Sequence, residues 1–350
     1  MLIHDLSSCT VVGTASVKDV VENLTLSGLR LCMVVDQDAK LLGIVSDGDI
    51  RRGLLAGKGL DDPVVEIMNR SFASSPDALG LADLASQARA KEISHIPLLD
   101  AEGRVTGLFV DQIDGGIPHL PNVVVIMAGG MGMRLRPLTE TTPKPMLSVA
   151  GKPMVQHTIE ALRSEGFRDF VISLNYLGEQ IEQHFGAGSD FGVNISYVTE
   201  KEPLGTAGAL SLMNRTFTDP VVVVNGDVLL LAKVSDMLDY HQSHEAEITV
   251  GVKVLDTQIP FGVVEVDGSR VMGITEKPVY RDFVNAGVYV LEPRVLEGLT
   301  PGARIDMPEL VETAIARERV VAFPLHETWI DMGRPEDLRR AEDEHRGRQG

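Results

Sequence analysis

The chain has little cysteine, few cations relative to acids, and no long apolar run. Cys9 and Cys32 are the only cysteines among 350 residues. Two cysteines are too few for a disulfide framework, and these two are too far apart for a CxxC metal or redox motif. No run of about 18 apolar residues occurs, and the start MLIHDLSSC lacks the basic and apolar regions of a signal peptide. We therefore expect a cytoplasmic protein with no membrane span.

The charge balance is strongly acidic. The sequence contains 32 Lys and Arg against 50 Asp and Glu, which gives a formal net charge of −18. Nucleic-acid binders neutralise phosphates with clustered Lys and Arg, so this balance argues against a nucleic-acid partner. The 44% hydrophobic content excludes a disordered chain, and the length predicts two or three folding units. Any phosphate site must then be a local positive region in a negative protein.

The first third of the chain repeats itself. The segment Leu31–Ser46 aligns without gaps with a segment from about Ser94 to Phe109, and the alignment places Asp36 on Asp100. Each copy predicts an amphipathic helix, an apolar strand, a turn that carries the aspartate, a second strand and another helix. Units of this size cannot bury both faces of a sheet alone, so we expect the two copies to pack as one domain.

This repeat resembles a tandem pair of CBS modules, and the resemblance implies an α+β regulatory domain that binds an adenine nucleotide. In that family a Ser or Thr after the second strand and an Asp three positions later hold the ribose. Copy one supplies Ser46 and Asp49 at these positions, whereas copy two has Val110 and Ile113. At most one nucleotide site is therefore expected. A pair that binds no ligand and serves only dimerisation is the alternative.

A Gly- and Pro-rich stretch separates this repeat from a different pattern. The stretch Asp114–Asn122 reads DGGIPHLPN, which is typical of a linker. We predict a first domain over residues 1–118, with copies of about 1–62 and 63–118, and a second domain over residues 121–350.

The second domain opens with a continuous Val/Ile strand, which suits a buried parallel sheet, and a Gly-rich turn follows at once. The turn Gly129–Gly132 lets the backbone approach an anion with its amides pointing inward. It is not a Walker A loop, and Leu135 stands where the dinucleotide fingerprint needs glycine. Arg134 and Lys144 add two cations whose backbone is preset by nearby prolines. This combination fits a triphosphate better than a single carboxylate.

The string GGMGMRLRPLT followed by PKP resembles the signature of sugar-1-phosphate nucleotidyltransferases, G-G-x-G-[ST]-R-L-x-P-x-T. The resemblance covers almost all of residues 121–350. It implies a Rossmann-like α/β domain with a mixed sheet of the GT-A-like type. Met133 stands where the family has Ser or Thr, so a backbone amide must replace a hydroxyl contact to phosphate. The resemblance places these turn residues at the nucleotide: Ala128, Gly129, Gly130, Gly132 and Met133.

The same resemblance assigns the other site residues. Asp227 follows the apolar run VVVVN, and Asp331 lies in WIDMG. These two acids match the metal ligands of the family, and Mg²⁺ is the expected ion. The implied catalytic residues are Arg134, Lys144 and Asp227. The base-reading loop EKEPLGTAGAL supplies Glu200, Gly205 and Thr206. The motifs PFG, ITEKP and VNAG supply sugar-phosphate contacts at Gly262, Glu276, Lys277 and Asn285.

The implied reaction is Mg²⁺-dependent transfer of a nucleotidyl group from a nucleoside triphosphate to a sugar 1-phosphate, with release of pyrophosphate. Glu200 can accept two hydrogen bonds from guanine, which favours GTP and a GDP-sugar pyrophosphorylase. A uridylyl- or thymidylyltransferase of the same family is one alternative. An inactive transferase fold that acts as an adenine-nucleotide sensor is the other.

The combination of a CBS pair with such a domain is similar to the glucosamine-1-phosphate guanylyltransferases of legionaminic acid biosynthesis. This similarity implies a role in precursors of surface or flagellar glycans, while the sugar stays open among glucosamine, mannose and a heptose. CBS pairs usually associate, so we expect a homo-oligomer.

Overall fold

The computed structural model describes residues 2–27, 29–77, 79–91, 93–110, 119–230, 232–317, 319–327 and 329–347. The chain divides into two compact units, Met1–Gly116 and Ile117–Gly350. Within the described ranges, no helix combines the length and apolar character needed to cross a membrane.

The first unit contains two small sheets and three helices in its described residues. In chain order its elements are β1 Leu2–Ile3, β2 Thr10–Val12, α1 Val17–Ser27, β3 Leu31–Val35, β4 Leu41–Ser46, α2 Asp47–Leu55, a 3₁₀ turn Val64–Glu66, β5 Ser75–Pro76, α3 Leu81–Ala90, β6 His95–Leu99 and β7 Val105–Val110. One sheet has the order β2-β3-β4 and the other has the order β1-β7-β6-β5.

The two sheets repeat the same pairing at the offset seen in the sequence. Strand β3 pairs with β4 through Met33 and Ile44, and β6 pairs with β7 through Pro97 and Leu108, each residue 64 positions later. In both copies a parallel strand precedes this antiparallel pair, and a bulge interrupts it at the same place. The helix predicted after β7, together with Ile113, lies outside the described residues.

The repeated aspartate has a structural reason. The Oδ1 atoms of Asp36 and Asp100 each accept two backbone N–H groups, from the residues two and four positions further on. Both turns also need a left-handed residue, which is Ala39 in copy one and Gly103 in copy two. Aspartate favours such turns because its side chain bonds the backbone just ahead of it.

The second unit is a larger α/β domain. In chain order its strands and α-helices are β8 Leu120–Met127, β9 Ser148–Val149, β10 Lys152–Pro153, α4 Met154–Glu165, β11 Phe167–Leu174, α5 Gly178–Phe185, β12 Asn194–Thr199, α6 Gly205–Gly208, β13 Val221–Asn225, β14 Val228–Leu230, α7 Val234–Ser243, β15 Ile248–Gln258, β16 Gly262–Asp267, β17 Arg270–Glu276, β18 Val279–Leu291, α8 Pro293–Glu297, α9 Met307–Ile315, β19 Val320–Leu325, β20 Trp329–Asp331 and α10 Pro335–Gly347. Short 3₁₀ turns lie at Met133–Leu135, Lys144–Met146, Ser189–Phe191 and Ala209–Leu212.

A mixed seven-stranded sheet forms the centre of this domain, in the order β12-β11-β8-β13-β18-β15-β19. Strands β12, β11, β8 and β13 run parallel, and β18 is antiparallel to β13. Val124 and Val222 face one buried cluster of side chains, while Val123 and Val221 face another. Burial of both faces explains why these strands read as continuous Val/Ile runs. The predicted α/β mixed-sheet class is confirmed.

The order of the strands creates a crevice at one edge of the sheet. After β8 the chain adds β11 and then β12 on one side, and β13 then joins β8 on the other side. Ligands of open α/β sheets bind at such a switch point, outside the carboxyl ends of the strands. The Gly-rich turn after β8 and the acidic residue after β13 both lie at this edge.

Candidate active site

The start of the Gly-rich turn is fixed against the neighbouring strand. The Ala128 N–H donates to the carbonyl and the hydroxyl oxygens of Ser173, both at 3.2 Å. A Cβ on Gly129 would lie 3.0 Å from Glu200 Oε1 and 3.2 Å from Asn175 Cβ. Glycine at this position therefore lets the turn pass close to two side chains of the crevice.

The rest of the turn is open to solvent, except at Gly132, where neighbouring side chains leave no room for a Cβ. Gly132 has a φ of +61°, and a Cβ there would lie 2.9 Å from Thr139 Cγ2 and 3.2 Å from Lys144 Cβ. Only glycine fits this left-handed position without strain. A Cβ on Gly130 would meet no atom within 4 Å, and the Met133 side chain is 55% exposed. This open side of the turn faces the region where an anion would bind.

The two predicted cations occupy different environments. Lys144 is buried, and its Nζ donates to Asp227 Oδ2 at 2.5 Å. Pro143, at φ −62°, fixes the backbone just before this lysine. Arg134 is exposed, and its Nη1 would lie 3.6 Å from a Cβ on Gly333. The lysine is thus held in one place, while the arginine lies at the mouth of the site.

The two predicted metal ligands come together through strand pairing. The Gly226 N–H donates to the Met127 carbonyl oxygen at 2.8 Å, and a Cβ on Gly226 would lie 2.8 Å from that oxygen. This close approach places Asp227 beside the Gly-rich turn. Strand β20, which ends at Asp331, pairs antiparallel with β14, and the Met332 N–H donates to the Asp227 carbonyl oxygen at 3.0 Å.

The electrostatics of Asp331 reflect this proximity. Burial raises the pKa of Asp331 above its usual value, and the charge of Asp227 raises that pKa further. Lys144 and Arg134 act in the opposite direction. Two carboxylates that repel each other are stabilised by a divalent cation between them, and carboxylate oxygens are the ligands that Mg²⁺ prefers. The residues present therefore fit the expected ion.

Two cavities meet at the Lys144–Asp227 ion pair. The larger, of about 360 Å³, is lined by Met127, Ala128, Gly129, Gly130, Met131, Lys144, Pro145, Ser173, Asn175, Glu200, Pro203, Gly205, Thr206, Asn225 and Asp227. The smaller, of about 180 Å³, is lined by Gly130, Gly132, Met133, Arg134, Leu135, Lys144, Asp227 and Gly333. One elongated ligand can therefore extend from Glu200 past the ion pair to Arg134.

Glu200 is buried at the far end of the larger cavity. Its Oε2 accepts the Leu204 N–H at 2.9 Å, whereas its Oε1 lies on the side of Gly129. Burial raises the pKa of Glu200, and the bond from Leu204 partly offsets this effect. One carboxylate oxygen is thus committed to the loop, and the other is directed toward the cavity.

Gly205 and Thr206 shape the loop that carries Glu200. Gly205 has a φ of +84°, and a Cβ there would lie 2.6 Å from the Ile305 carbonyl oxygen. Thr206 Oγ1 accepts the Met307 N–H at 2.8 Å, and the Thr206 N–H donates to Asp306 Oδ1 at 2.9 Å. Both residues line the cavity, but the hydroxyl of Thr206 is engaged within the protein.

The predicted sugar-side residues are not brought to these cavities. Gly262 and Glu276 pair across the exposed β16–β17 hairpin, and Lys277 follows it with a φ of +46°. Asn285 Nδ2 donates to Tyr289 Oη at 2.6 Å. None of these four predicted residues lines either cavity, so their roles toward the sugar phosphate stay predictions.

Ser46 and Asp49 bond to each other in the first unit. Asp49 is buried, and its Oδ2 accepts both the Ser46 N–H at 2.8 Å and the Ser46 hydroxyl at 2.6 Å. The pair forms a capping box at the start of α2. Their role toward a nucleotide ribose stays a prediction, because the structure gives both side chains a local partner.

Three polar residues of the larger cavity were absent from the sequence prediction: Ser173, Asn175 and Asn225. Each lies at the carboxyl end of a parallel strand next to β8, which is the signal that could have found them. Asn225 also packs against Gly287, where a Cβ would lie 2.6 Å from its Nδ2.

The fold and the site define an α/β protein that arranges a Gly-rich turn, two cations and two carboxylates around a crevice suited to a metal-bound nucleotide. Residues 123–347 match the family model for nucleotidyl transferase, which covers well over half of the chain. The chain therefore belongs to the nucleotidyl transferase family. Residues 7–56 match the CBS domain model, which confirms the resemblance for the first copy of the repeat.

The curated relatives carry a guanylyltransferase name. The chain is 36% identical over 222 residues to the mannose-1-phosphate guanylyltransferase catalytic subunit beta of Danio rerio, covering 61% of this chain and 62% of that protein. It is 35% identical over 223 residues to a mannose-1-phosphate guanylyltransferase of Mycobacterium tuberculosis, covering 62% of each. The chain thus spans about 62% of the length of these relatives.

Two solved structures share the fold of the second unit. One, assigned as a glucose-1-phosphate thymidylyltransferase from Bacillus anthracis, is 25% identical and gives a TM-score of 0.54 over 64% of this chain and 94% of that one. A UDP-glucose pyrophosphorylase structure, 20% identical, gives a TM-score of 0.51 over 65% of this chain and all of that one. The latter supports the fold alone.

Proposed function

We propose that the second unit transfers a nucleotidyl group from a nucleoside triphosphate, GTP foremost, to a sugar 1-phosphate and releases pyrophosphate. The observation that carries this proposal is the Lys144–Asp227 ion pair at the junction of the two cavities. A base beside Glu200 and phosphates beside Arg134 would put the α-phosphorus next to this pair. That is where charge develops when the α-phosphorus changes partners.

The chemistry needs positioning more than proton transfer. The second pKa of a phosphate monoester is about 6, so the sugar phosphate is already ionised at neutral pH and needs no general base. Its oxygen forms a bond to the α-phosphorus, the bond from that phosphorus to the α–β bridging oxygen breaks, and pyrophosphate leaves. Arg134 and the turn amides hold the β- and γ-phosphates, Lys144 neutralises the α-phosphate, and Lys277 docks the sugar phosphate.

Asp227 and Asp331 are the residues that would hold Mg²⁺. When bound, the ion supplies charge screening between the two polyanionic substrates. The two carboxylates would contribute oxygen ligands to it, and Lys144 would then be free to leave Asp227 for the α-phosphate.

Guanine is the base that Glu200 fits best. Its N1–H and N2–H₂ groups are adjacent donors, whereas uracil and thymine present one donor between two acceptors. An ionised Glu200 can accept both donors of guanine, since Oε2 keeps a second lone pair beside its bond from the Leu204 N–H. The names of the relatives from Danio rerio and Mycobacterium tuberculosis support the same base. They also make mannose 1-phosphate the first acceptor to test, ahead of glucosamine 1-phosphate and a heptose 1-phosphate.

The test is pyrophosphate release from the full chain with GTP, ATP, UTP, CTP and dTTP against each sugar 1-phosphate, with Mg²⁺ and with EDTA. We expect release with GTP and one sugar, and none with EDTA. Release that is faster with UTP or dTTP would replace the guanylyl assignment by the uridylyl or thymidylyl alternative. Absence of release with every pair would contradict the enzymatic proposal and favour the nucleotide sensor.

A further inference from the structure

Two side chains outside the predicted site bond to the loop between β8 and β9, residues 128–147, which we call the signature loop. Tyr176 Oη donates to the Glu140 carbonyl oxygen at 3.0 Å, and Gln180 Nε2 donates to the Thr141 carbonyl oxygen at 2.9 Å. Tyr176 lies in the turn after β11, and Gln180 lies in the first turn of α5. Neither residue belongs to the motifs from which the site was predicted.

The loop that they contact has little regular structure of its own. Between β8 and β9 the described chain has only the 3₁₀ turns Met133–Leu135 and Lys144–Met146. Thr139 Oγ1 donates to the Gly132 carbonyl oxygen at 2.8 Å, which ties the loop to itself. Hydrogen bonds from neighbouring elements, such as those from Tyr176 after β11 and Gln180 in α5, are therefore needed to fix the position of the loop.

Glu140 and Thr141, whose carbonyl oxygens accept these bonds, are close in sequence to Lys144. Thr141 precedes Lys144 by three residues, and Pro143 stiffens the backbone between them. A displacement of the Thr141 carbonyl would therefore be transmitted to the lysine. Lys144 would then leave the place where the α-phosphate is expected.

The same short segment also contacts the base side of the crevice. Asn175 lines the larger cavity, and its Nδ2 donates to the Glu200 carbonyl oxygen at 3.2 Å. Leu177 has a φ of +52°, which is an uncommon conformation for a leucine and which tightens the turn between β11 and α5. Such local strain persists where the surroundings hold it, often at functional sites.

We propose that Tyr176 and Gln180 are positioning residues that hold Lys144 through the Glu140 and Thr141 carbonyls. This inference rests on the proposed nucleotidyl transfer. Neither residue lines the two cavities in which the nucleotide is proposed to bind. Their effect is on charge stabilisation at the α-phosphorus rather than on binding of the base.

The test compares the double variant Tyr176→Phe/Gln180→Met with a matched control. Phenylalanine and methionine keep the size of each side chain and remove only the donor. The control is Tyr197→Phe/Gln156→Met, because Tyr197 Oη also donates to a backbone carbonyl, at 2.7 Å, and Gln156 also donates from Nε2, at 2.8 Å. The hydrogen bonds of these two control residues in the described structure go to Glu160, His184 and Gly186, which lie outside the loop between β8 and β9.

We expect kcat of the double variant to fall by roughly 10- to 100-fold, while KM for the nucleoside triphosphate changes less than about twofold. The control should keep both constants. When Lys144→Met is already present, the double variant should lower kcat by less than about twofold more, since both changes act through one group. An unchanged kcat, or a full additional loss in the Lys144→Met background, would overturn the proposal.

A measurement without substrates separates this proposal from the proposed function. Amide hydrogen exchange of residues 133–142 should be faster in the double variant than in the wild type and in the control. If the wild type releases no pyrophosphate with any pair of substrates, the proposed function fails, and exchange still tests whether the loop is held. Equal exchange in all three proteins would contradict the positioning role.

Discussion

Lys144 Nζ lies 2.5 Å from Asp227 Oδ2, so the cation predicted to meet the α-phosphate is held by an acid predicted to bind the metal. The lysine is buried, and a buried ammonium requires a partner. Asp227 is that partner until a nucleotide and a metal arrive. The ion pair therefore keeps the lysine in its place.

The first prediction concerns the charge of this lysine. Lys144→Met should lower kcat/KM for the triphosphate by about 10²- to 10³-fold, because one donor to developing charge is lost. The remaining Asp227 side chain is 32% exposed, so water can solvate it and the fold should persist. Pyrophosphate-release kinetics and thermal unfolding measure the two effects.

The control for that variant is Lys152→Met. Lys152 also forms an ion pair, with Glu160 at 2.8 Å, but its side chain is 47% exposed and lies outside both cavities. The Lys152→Met variant should keep kcat/KM within about twofold of the wild-type value, because a surface ion pair contributes little. A Lys144→Met enzyme that matched this control would contradict the role given to Lys144.

The second prediction concerns the two acids. Asp227→Asn and Asp331→Asn should each lower turnover at least about 100-fold and weaken the response to Mg²⁺, because each loses an anionic oxygen ligand. Activity as a function of Mg²⁺ concentration, with circular dichroism to check the fold, tests this. Near wild-type activity of Asp227→Asn would refute its assignment as a metal ligand.

Asp337 supplies the matched control for these acids. It lies close enough to raise the pKa of Asp331, but its Oδ2 accepts the Arg334 N–H at 2.6 Å, from the third position of α10 to the residue before the helix. Asp337→Asn removes one negative charge near the site and keeps a side-chain oxygen that can accept the Arg334 N–H. We expect its turnover and Mg²⁺ response to stay close to those of the wild type.

The third prediction is a pH dependence. Burial raises the pKa of Glu200, so its carboxylate takes up a proton at higher pH than an exposed glutamate does. A protonated carboxyl accepts guanine poorly, and KM for GTP should therefore rise as the pH falls through this raised pKa. Glu200→Gln should remove that rise and increase KM for GTP by roughly 10- to 100-fold at neutral pH.

The neighbouring Glu202 is exposed and provides the comparison. Glu202→Gln should leave both the KM for GTP and its pH profile unchanged. An acidic rise in KM that survived in Glu200→Gln would assign the titration to another group and contradict the base-reading role.

The sequence predicted those parts of the site that are fixed by local chemistry. Asp227 follows a strand with a clear Val-rich pattern, and Lys144 lies between two prolines, so the local sequence marks both residues as candidates. The place of Lys144 in the site still depends on distant contacts, which the local sequence does not show. The turns with Asp36 and Asp100 were predictable for the same reason, since each aspartate bonds the backbone just ahead of it.

Other residues depend on tertiary contacts that leave no local pattern. Asn175 lines the cavity because β11 lies beside β8, and nothing in LNYLG states which strands are neighbours. Tyr176 and Gln180 meet carbonyls more than 35 residues away, at a loop with no periodicity. For Lys277 the situation is reversed. The ITEKP motif suggests that it binds the sugar phosphate, but the fold places it after the β16–β17 hairpin, outside both cavities.

The last prediction concerns the first unit. If Ser46 and Asp49 hold the ribose of an adenine nucleotide, then AMP, ADP or ATP should change the rate of pyrophosphate release, and Ser46→Ala/Asp49→Ala should abolish this response. The capping box complicates that test, since the same change removes hydrogen bonds at the start of α2. A loss of response could then follow from a weaker helix.

Ser16 and Asp19 provide the control for helix capping, because they repeat the two Ser–Asp hydrogen bonds in the same unit but lack the burial of Asp49 and its pairing with Arg52. Asp19 Oδ2 accepts the Ser16 N–H at 2.7 Å and the Ser16 hydroxyl at 2.8 Å. Ser16→Ala/Asp19→Ala should also lower the midpoint of thermal unfolding, by less than Ser46→Ala/Asp49→Ala because Asp19 is exposed, yet keep the nucleotide response. Equal loss of response in both variants would assign the effect to helix capping.

A wild type with no response to any adenine nucleotide would contradict ligand binding. Assembly would then be left as the role of the CBS pair, and sedimentation of the full chain would test it.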